Sequence, residues 1–197
     1  MNKDLSRLYL EMVVSDVPLS DELIEEPDDC HTYFNFIIYE NRYESRKHIG
    51  SLGILKIDYE EFGLFESLDC HSDAVALLDL FQNIKNATLK TKYRKKLEYF
   101  DWSSSIYMID KVVIESEYRG NKILRRILIK AFELMNVWNI DFLTIASPLY
   151  DTDTTKRDEK YFKDRKKLVK YYESIGFEKL TDGENVIMCL KYDGEAE

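Results

Sequence analysis

Arg119, Lys122, Arg125, Arg126 and Lys130 fall within twelve consecutive residues that hold no acid. The segment before them, IYMIDKVVIES from Ile106 to Ser116, is rich in β-branched residues and reads as a strand. After the polar EYRGNK comes NKILRRILIKAFELMNVW, with Leu124, Ile127, Leu128, Ala131, Leu134, Met135 and Trp138 at helical spacing. A strand that runs through a short loop into a helix aims backbone N–H groups and the positive end of a dipole at one point. That is an anion site, and Arg119, Lys122 and Arg125 add charge to it. A second basic stretch, Lys156 to Lys170, holds eight basic and three acidic residues. Such concentrations in an acidic protein suit a small polyanion, although either stretch alone also fits a solvated helix face. Nucleic acid is not expected as a partner, because a basic footprint would dominate the whole domain.

Other residues that could do chemistry are fewer. Asp110 and Glu115 stand on the same strand, on opposite faces by its two-residue alternation. Asp110 shares a face with Val112 and Ile114, an odd place for a solvated carboxylate, while Glu115 sits near the loop. The tripeptide DCH occurs at Asp29–His31 and again at Asp69–His71, which raises a zinc site of Cys30, His31, Cys70 and His71. Zinc modules separate their ligands by two to four residues, and adjacent side chains on a strand diverge, so no metal is expected. No Ser/His/Asp signature, Walker loop or dinucleotide fingerprint is present in the sequence.

The elements that must position these residues belong to a chain of 197 residues, the size of one domain. Such a chain buries roughly 70% of its unfolded surface and needs no staples. Three scattered cysteines do not make a disulfide framework. The opening MNKDLSRLYLEMVV is not a signal peptide, and no apolar run is long enough to cross a bilayer. The expectation is a reduced, soluble, cytoplasmic protein that does not engage a membrane. Its net charge of -9 is uneven: residues 1–79 carry 18 acids against 6 bases, a net of -12.

Strands are expected at Arg7–Ser15, Thr32–Glu40 and His48–Tyr59, the last two as an antiparallel hairpin, with a loop over 16–30. SDAVALLDLFQNI reads as a helix capped by Ser72 or Asp73, and Leu89 to Phe100 as a basic helical piece. IDFLTIAS is a nearly continuous apolar run, as in a central strand covered on both faces. RDEKYFKDRKKLVKYYESIG is a helix with Phe162, Leu168, Val169, Tyr172 and Ile175 aligned and Gly176 placed to end it. FEKL, a TDGEN turn and the strand VIMCLKY follow. The fold class is α/β: one domain over 1–197, with a mixed central sheet and helices on both faces. It divides into a strand-rich part (1–60), a helical insertion (61–105) and a core (106–192).

Two segments in this order resemble the GNAT superfamily of N-acetyltransferases. IDKVVIESEYRGNKILRRILIKAFELM (Ile109 to Met135) is similar to the family's fourth strand, pyrophosphate loop and following helix. LVKYYESIGFEKL (Leu168 to Leu180) is similar to its late helix ending in Tyr-x-x-x-Gly-Phe. The resemblance covers about residues 106–192 and implies acetyl-CoA as co-substrate. It implies cofactor contacts from Val112, Val113, Ile114, Arg119, Gly120, Asn121, Lys122, Ile123 and Leu124. The thioester would lie between Ile106–Ser116 and Asp141–Ser147, polarised by a backbone N–H near Val113 or Ile114. Tyr172 stands where the family's general acid stands, with Tyr171 as its immediate rival. Asp110 or Glu115 would take the proton of the acceptor amine. Lys122 and Leu124 depart from the family pattern, which has small residues at both positions.

The implied activity is acetyl transfer to a primary amine by direct attack; the alternative is a catalytically silent relative that binds CoA or a protein partner. The acidic N-terminal half points to a cationic acceptor, either a small-molecule amine or a basic peptide. Self-association as a homodimer is left open.

Overall fold

Alternation of apolar and polar residues organises the first half into long antiparallel strands. The computed structural model describes residues 8–15, 31–42, 45–60, 63–69, 73–100, 105–120, 122–148 and 158–194. Strand β1 (Leu8–Ser15) buries Leu8 and Leu10 and exposes Tyr9 and Glu11. It pairs with β2 (His31–Arg42), which pairs in turn with β3 (Ser45–Asp58) as the expected hairpin. The 16–30 loop lies outside the described residues.

The next region is less helical than its apolar spacing suggests. Helix α1 (Leu64–Asp69) is short, and Ala74–Leu80 forms a 3-10 turn instead of the start of a longer helix. A small hairpin of β4 (Phe81–Asn83) and β5 (Thr88–Leu89) follows, then the single turn α2 (Thr91–Arg94). Ala74, Leu77 and Leu80 are spaced by threes and all buried, which suits a 3-10 turn as well as an α-helix. Of the two expected caps, Ser72 lies outside the described residues and Asp73 makes no side-chain cap bond.

The second half follows the expected order. Strand β6 (Ser105–Ile114) leads through the 3-10 turn Ser116–Tyr118 into α3 (Ile123–Met135). Then come β7 (Ile140–Ile145), α4 (Glu159–Ser174), β8 (Glu178–Lys179) and β9 (Ile187–Tyr192). Among the described residues, seven strands form one mixed sheet in the order β1-β2-β3-β6-β7-β9-β8, in which β6 and β7 are parallel. The architecture is the mixed α/β domain that the sequence implies.

Two cores flank the sheet. One packs Phe36, Ile54, Ile109 and Phe142 under α3 and α4; the other packs Leu55, Met108, Leu143 and Ile187 under the 64–100 segment. Helices α3 and α4 bury slightly different faces from those expected. Phe132 and Ile123 are fully buried in α3, whereas Leu134 and Trp138 are exposed. Asn136, in the left-handed region at φ 55, ends the helix before Trp138. In α4, Tyr161 is buried and Phe162 exposed, because Asp158 accepts the Tyr161 N–H and sets the first turn.

Among the described residues, no helix is long and apolar enough to cross a membrane. Nor are any three His, Cys, Asp or Glu placed to hold a metal ion. Cys30, Cys70 and His71 lie outside the described residues, and buried His31 has its Nε2 at 2.7 Å from the Ser67 carbonyl oxygen.

Candidate active site

Parallel pairing between β6 and β7 spans three residue pairs: Tyr107–Phe142, Met108–Leu143 and Ile109–Thr144. Beyond Ile109, β6 stays on β3 while β7 stays on β9, so the two strands part. The break coincides with a bulge. Gly53 faces Lys111 and Ile54 faces Ile109, which makes Asp110 the extra residue of the bulge. A bulge re-aims the strand that follows it. The Glu115 N–H donates to the Ile49 carbonyl at 2.9 Å. Register then makes Ser51–Val113 and Gly53–Lys111 hydrogen-bonded pairs. The alternate peptide groups, Val112 and Ile114, point away from β3 toward the gap, where β7 no longer pairs.

A cleft of about 620 Å³ opens there, within the range of small-molecule sites. Ile109, Asp110, Val112 and Ile114 of β6 line it, with Thr144 and Ile145 of β7. The start of α3 contributes Ile123 and Leu124, and α4 contributes Leu168, Tyr171 and Tyr172. Arg119, Gly120 and Lys167 also line it. The Arg119 Nε donates to the Ile114 carbonyl at 2.8 Å, which fixes the guanidinium at the end of the diverging strand.

Two described residues of the loop before α3, Gly120 and Lys122, have left-handed backbones. Gly120 has φ +95, and Lys122, at the N-cap position, has φ 55 and ψ 26 with no side-chain cap bond. A left-handed residue with a Cβ costs about 1–2 kcal/mol. The Lys122 side chain is exposed and does not line the cleft. Leu124 is 3% exposed, so its side chain belongs to the core and its backbone to the cleft. Its peptide is hydrogen-bonded to the Tyr171 hydroxyl, whose pKa burial raises.

Tyr172 is positioned by the end of α4. The Phe177 N–H donates to the Tyr172 carbonyl at 3.1 Å and the Gly176 N–H to the Glu173 carbonyl at 3.2 Å, with Gly176 at φ +106. These two bonds make a Schellman motif, and the Phe177 ring packs on Tyr172 at 5.0 Å. The Tyr-x-x-x-Gly-Phe pattern is therefore a helix stop that pins its own tyrosine. Burial pushes the Tyr172 phenol up to about 12, and its hydroxyl is hydrogen-bonded to Thr144.

Not every expected residue comes to the cleft. Glu115 forms an ion pair with Lys47 at 2.9 Å on the β3 side. Glu117 and Glu115 together hold the Lys47 ammonium above its ordinary range. Val113 is 41% exposed, and its peptide belongs to the ladder with β3. Of the two backbone N–H groups expected at the thioester, Ile114 is the one turned to the cleft, joined by Val112. Asn121 lies outside the described residues. Thr144 and Asp73 line the cleft without having been singled out for it. A hydroxyl inside the apolar run IDFLTIAS was the available signal for Thr144.

A second cavity of about 470 Å³ adjoins the cleft and shares Asp73, Ile145 and Ser147 with it. Asp79, Glu184 and Tyr161 also line it.

No protein-family model and no curated protein matches the sequence. Solved structures similar to the chain include the following two. The crystal structure of the NatC complex bound to Gag peptide and CoA is 12% identical, with 80% of this chain and 70% of that chain covered and a TM-score of 0.36. The crystal structure of AtaTR bound with AcCoA is 12% identical, with 94% of each chain covered and a TM-score of 0.39.

Proposed function

We propose that this protein transfers an acetyl group from acetyl-CoA to a primary amine by direct attack. The observation that carries this reading is the parting of β6 and β7 around a cleft. The start of α3 and Tyr172 both line it. The left-handed loop at Gly120 and Lys122, the Arg119 guanidinium and the positive end of the α3 dipole would receive the pyrophosphate, since the Ile123 N–H is given to the Gly120 carbonyl and the Leu124 N–H to Tyr171. The N–H groups of Val112 and Ile114 would polarise the thioester carbonyl.

Asp110 is the carboxylate of the expected pair that lines the cleft, and it serves as the proton acceptor. The amine nitrogen forms a bond to the carbonyl carbon and the C–S bond breaks. Tyr172 gives its phenol proton to the leaving sulfur; of the two protons the ammonium nitrogen loses, one reaches solvent by way of Asp110 and the other restores the Tyr172 phenol. A phenol held near 12 is a weaker acid than a thiol, whose ordinary value is about 8.5. Proton transfer from Tyr172 is therefore uphill on its own, and loss of the sulfur from the tetrahedral adduct drives it.

The acceptor reaches the thioester over the second cavity, where Asp73, Asp79 and Glu184 make a cationic amine or basic peptide the favoured class. Release of CoA thiol from acetyl-CoA, measured over a panel of amines, tests the reading. Turnover with cationic amines supports it, and none with any amine contradicts it. A second reading, a protein that binds CoA without turnover, is favoured by Lys122, whose Cβ stands where the loop conformation suits glycine.

A further inference from the structure

Asp73 stands where the two cavities meet. Ile145 and Ser147 line both as well, but Asp73 alone of the three carries a charge. Its position at the head of the 3-10 turn Ala74–Leu80 predicts a cap, yet it has φ -81 and ψ -30 and its side chain caps nothing. Among the described residues, that carboxylate makes no hydrogen bond or ion pair. It is exposed and lines both cavities.

Resting on the acetyl-transfer reading above, we propose that Asp73 holds a positive charge of the acceptor at this junction and selects diamines over monoamines. A carboxylate bound to an ammonium keeps that ammonium protonated. The charge held by Asp73 is therefore a second one, carried beside the reacting nitrogen. The reacting nitrogen itself is left to Asp110, which lines the cleft alone and not the second cavity. The two carboxylates thus divide recognition from proton removal.

The test compares 1,4-diaminobutane with butylamine under saturating acetyl-CoA, in wild type, Asp73→Asn and Asp73→Glu. Wild type should show a KM for the diamine roughly 10- to 100-fold below that for the monoamine, the worth of a charge-assisted hydrogen bond. Asp73→Asn should abolish that preference while kcat and the KM for acetyl-CoA stay within about twofold, and Asp73→Glu should restore part of it. An undiminished preference in Asp73→Asn overturns the inference. So does an equal loss of kcat on both amines, which marks a structural role. If wild type binds acetyl-CoA but shows no preference or acetylates neither amine, the inference falls and the cofactor site stands. If acetyl-CoA does not bind, both fall.

Discussion

Thr144 Oγ1 donates to the carbonyl oxygen of Ile109 at 3.0 Å, across the last pair that β6 and β7 share. The same threonine is hydrogen-bonded to the Tyr172 hydroxyl. A hydroxyl has one proton, and Thr144 gives its own to Ile109, so the Tyr172 phenol donates to Thr144 at rest. The point where the strands part and the point where the phenol is held are therefore the same. Substituting Tyr172→Phe should keep the fold and the affinity for CoA but lower turnover by roughly 10²–10⁴-fold. Tyr171→Phe should leave turnover nearly unchanged, since its hydroxyl meets Leu124 at the start of α3. CoA thiol release and CoA titration of both variants check this.

Gly176 allows a second check on how Tyr172 is held. At φ +106 it closes the Schellman motif, and an added Cβ would meet Leu190 only at ordinary contact distance, 3.5 Å. The cost of Gly176→Ala is thus one of backbone, about 1–2 kcal/mol in urea unfolding. Because the motif bonds the Tyr172 carbonyl directly, turnover should also fall, by about tenfold for a small displacement of the phenol. Lost stability with unchanged turnover would separate the motif from the chemistry.

The sequence makes these two features legible for a physical reason. A helix stop is local, so Gly176 and Phe177 announce it, and the apolar periodicity of 106–135 announces strand and helix. The cleft is not local. It depends on the bulge at Asp110, which exists only in register with Gly53 and Ile54 of β3. Alternation along β6 alone leaves Val113 and Ile114 equally eligible for the thioester and leaves Glu115 as a rival to Asp110. Pairing with β3 puts the Val113 peptide in the ladder, and the ion pair with Lys47 holds Glu115 on the β3 side. Ala74, Leu77 and Leu80 misled in another way, because a spacing of three serves a 3-10 turn as well as an α-helix.

Lys122→Gly should relieve the left-handed strain at φ 55. The expected gain is about 1 kcal/mol, or roughly 2–4 °C in Tm for a chain of this size. The Lys122 side chain lies outside the cleft, so CoA should bind the variant at least as well as wild type. Weaker CoA binding by Lys122→Gly would instead make its ammonium a ligand to the phosphates.

Asp141 should give stability a distinct pH dependence. Burial raises its pKa, against the Tyr99 N–H at 2.7 Å, the Cys189 thiol at 3.6 Å and the Phe100 N–H at 3.1 Å. With the folded pKa above the unfolded one, its contribution is full below the ordinary carboxylate value, about 3.9, and is lost as pH rises through the folded pKa. Relative to Asp141→Asn, wild type should therefore lose stability as pH rises above about 4 in urea unfolding. A difference that grows in favour of wild type with rising pH would contradict the assignment.

The central claim is that the cleft between β6 and β7 receives acetyl-CoA, and thermal unfolding with that ligand tests it most directly. At a hundred times its dissociation constant, acetyl-CoA should add about 2.7 kcal/mol, a rise in Tm of roughly 5–10 °C. Pantetheine, which lacks the pyrophosphate, should give much less. No shift at millimolar acetyl-CoA, or an equal shift with pantetheine, would contradict an anion site at the start of α3 and with it the assignment of the cleft.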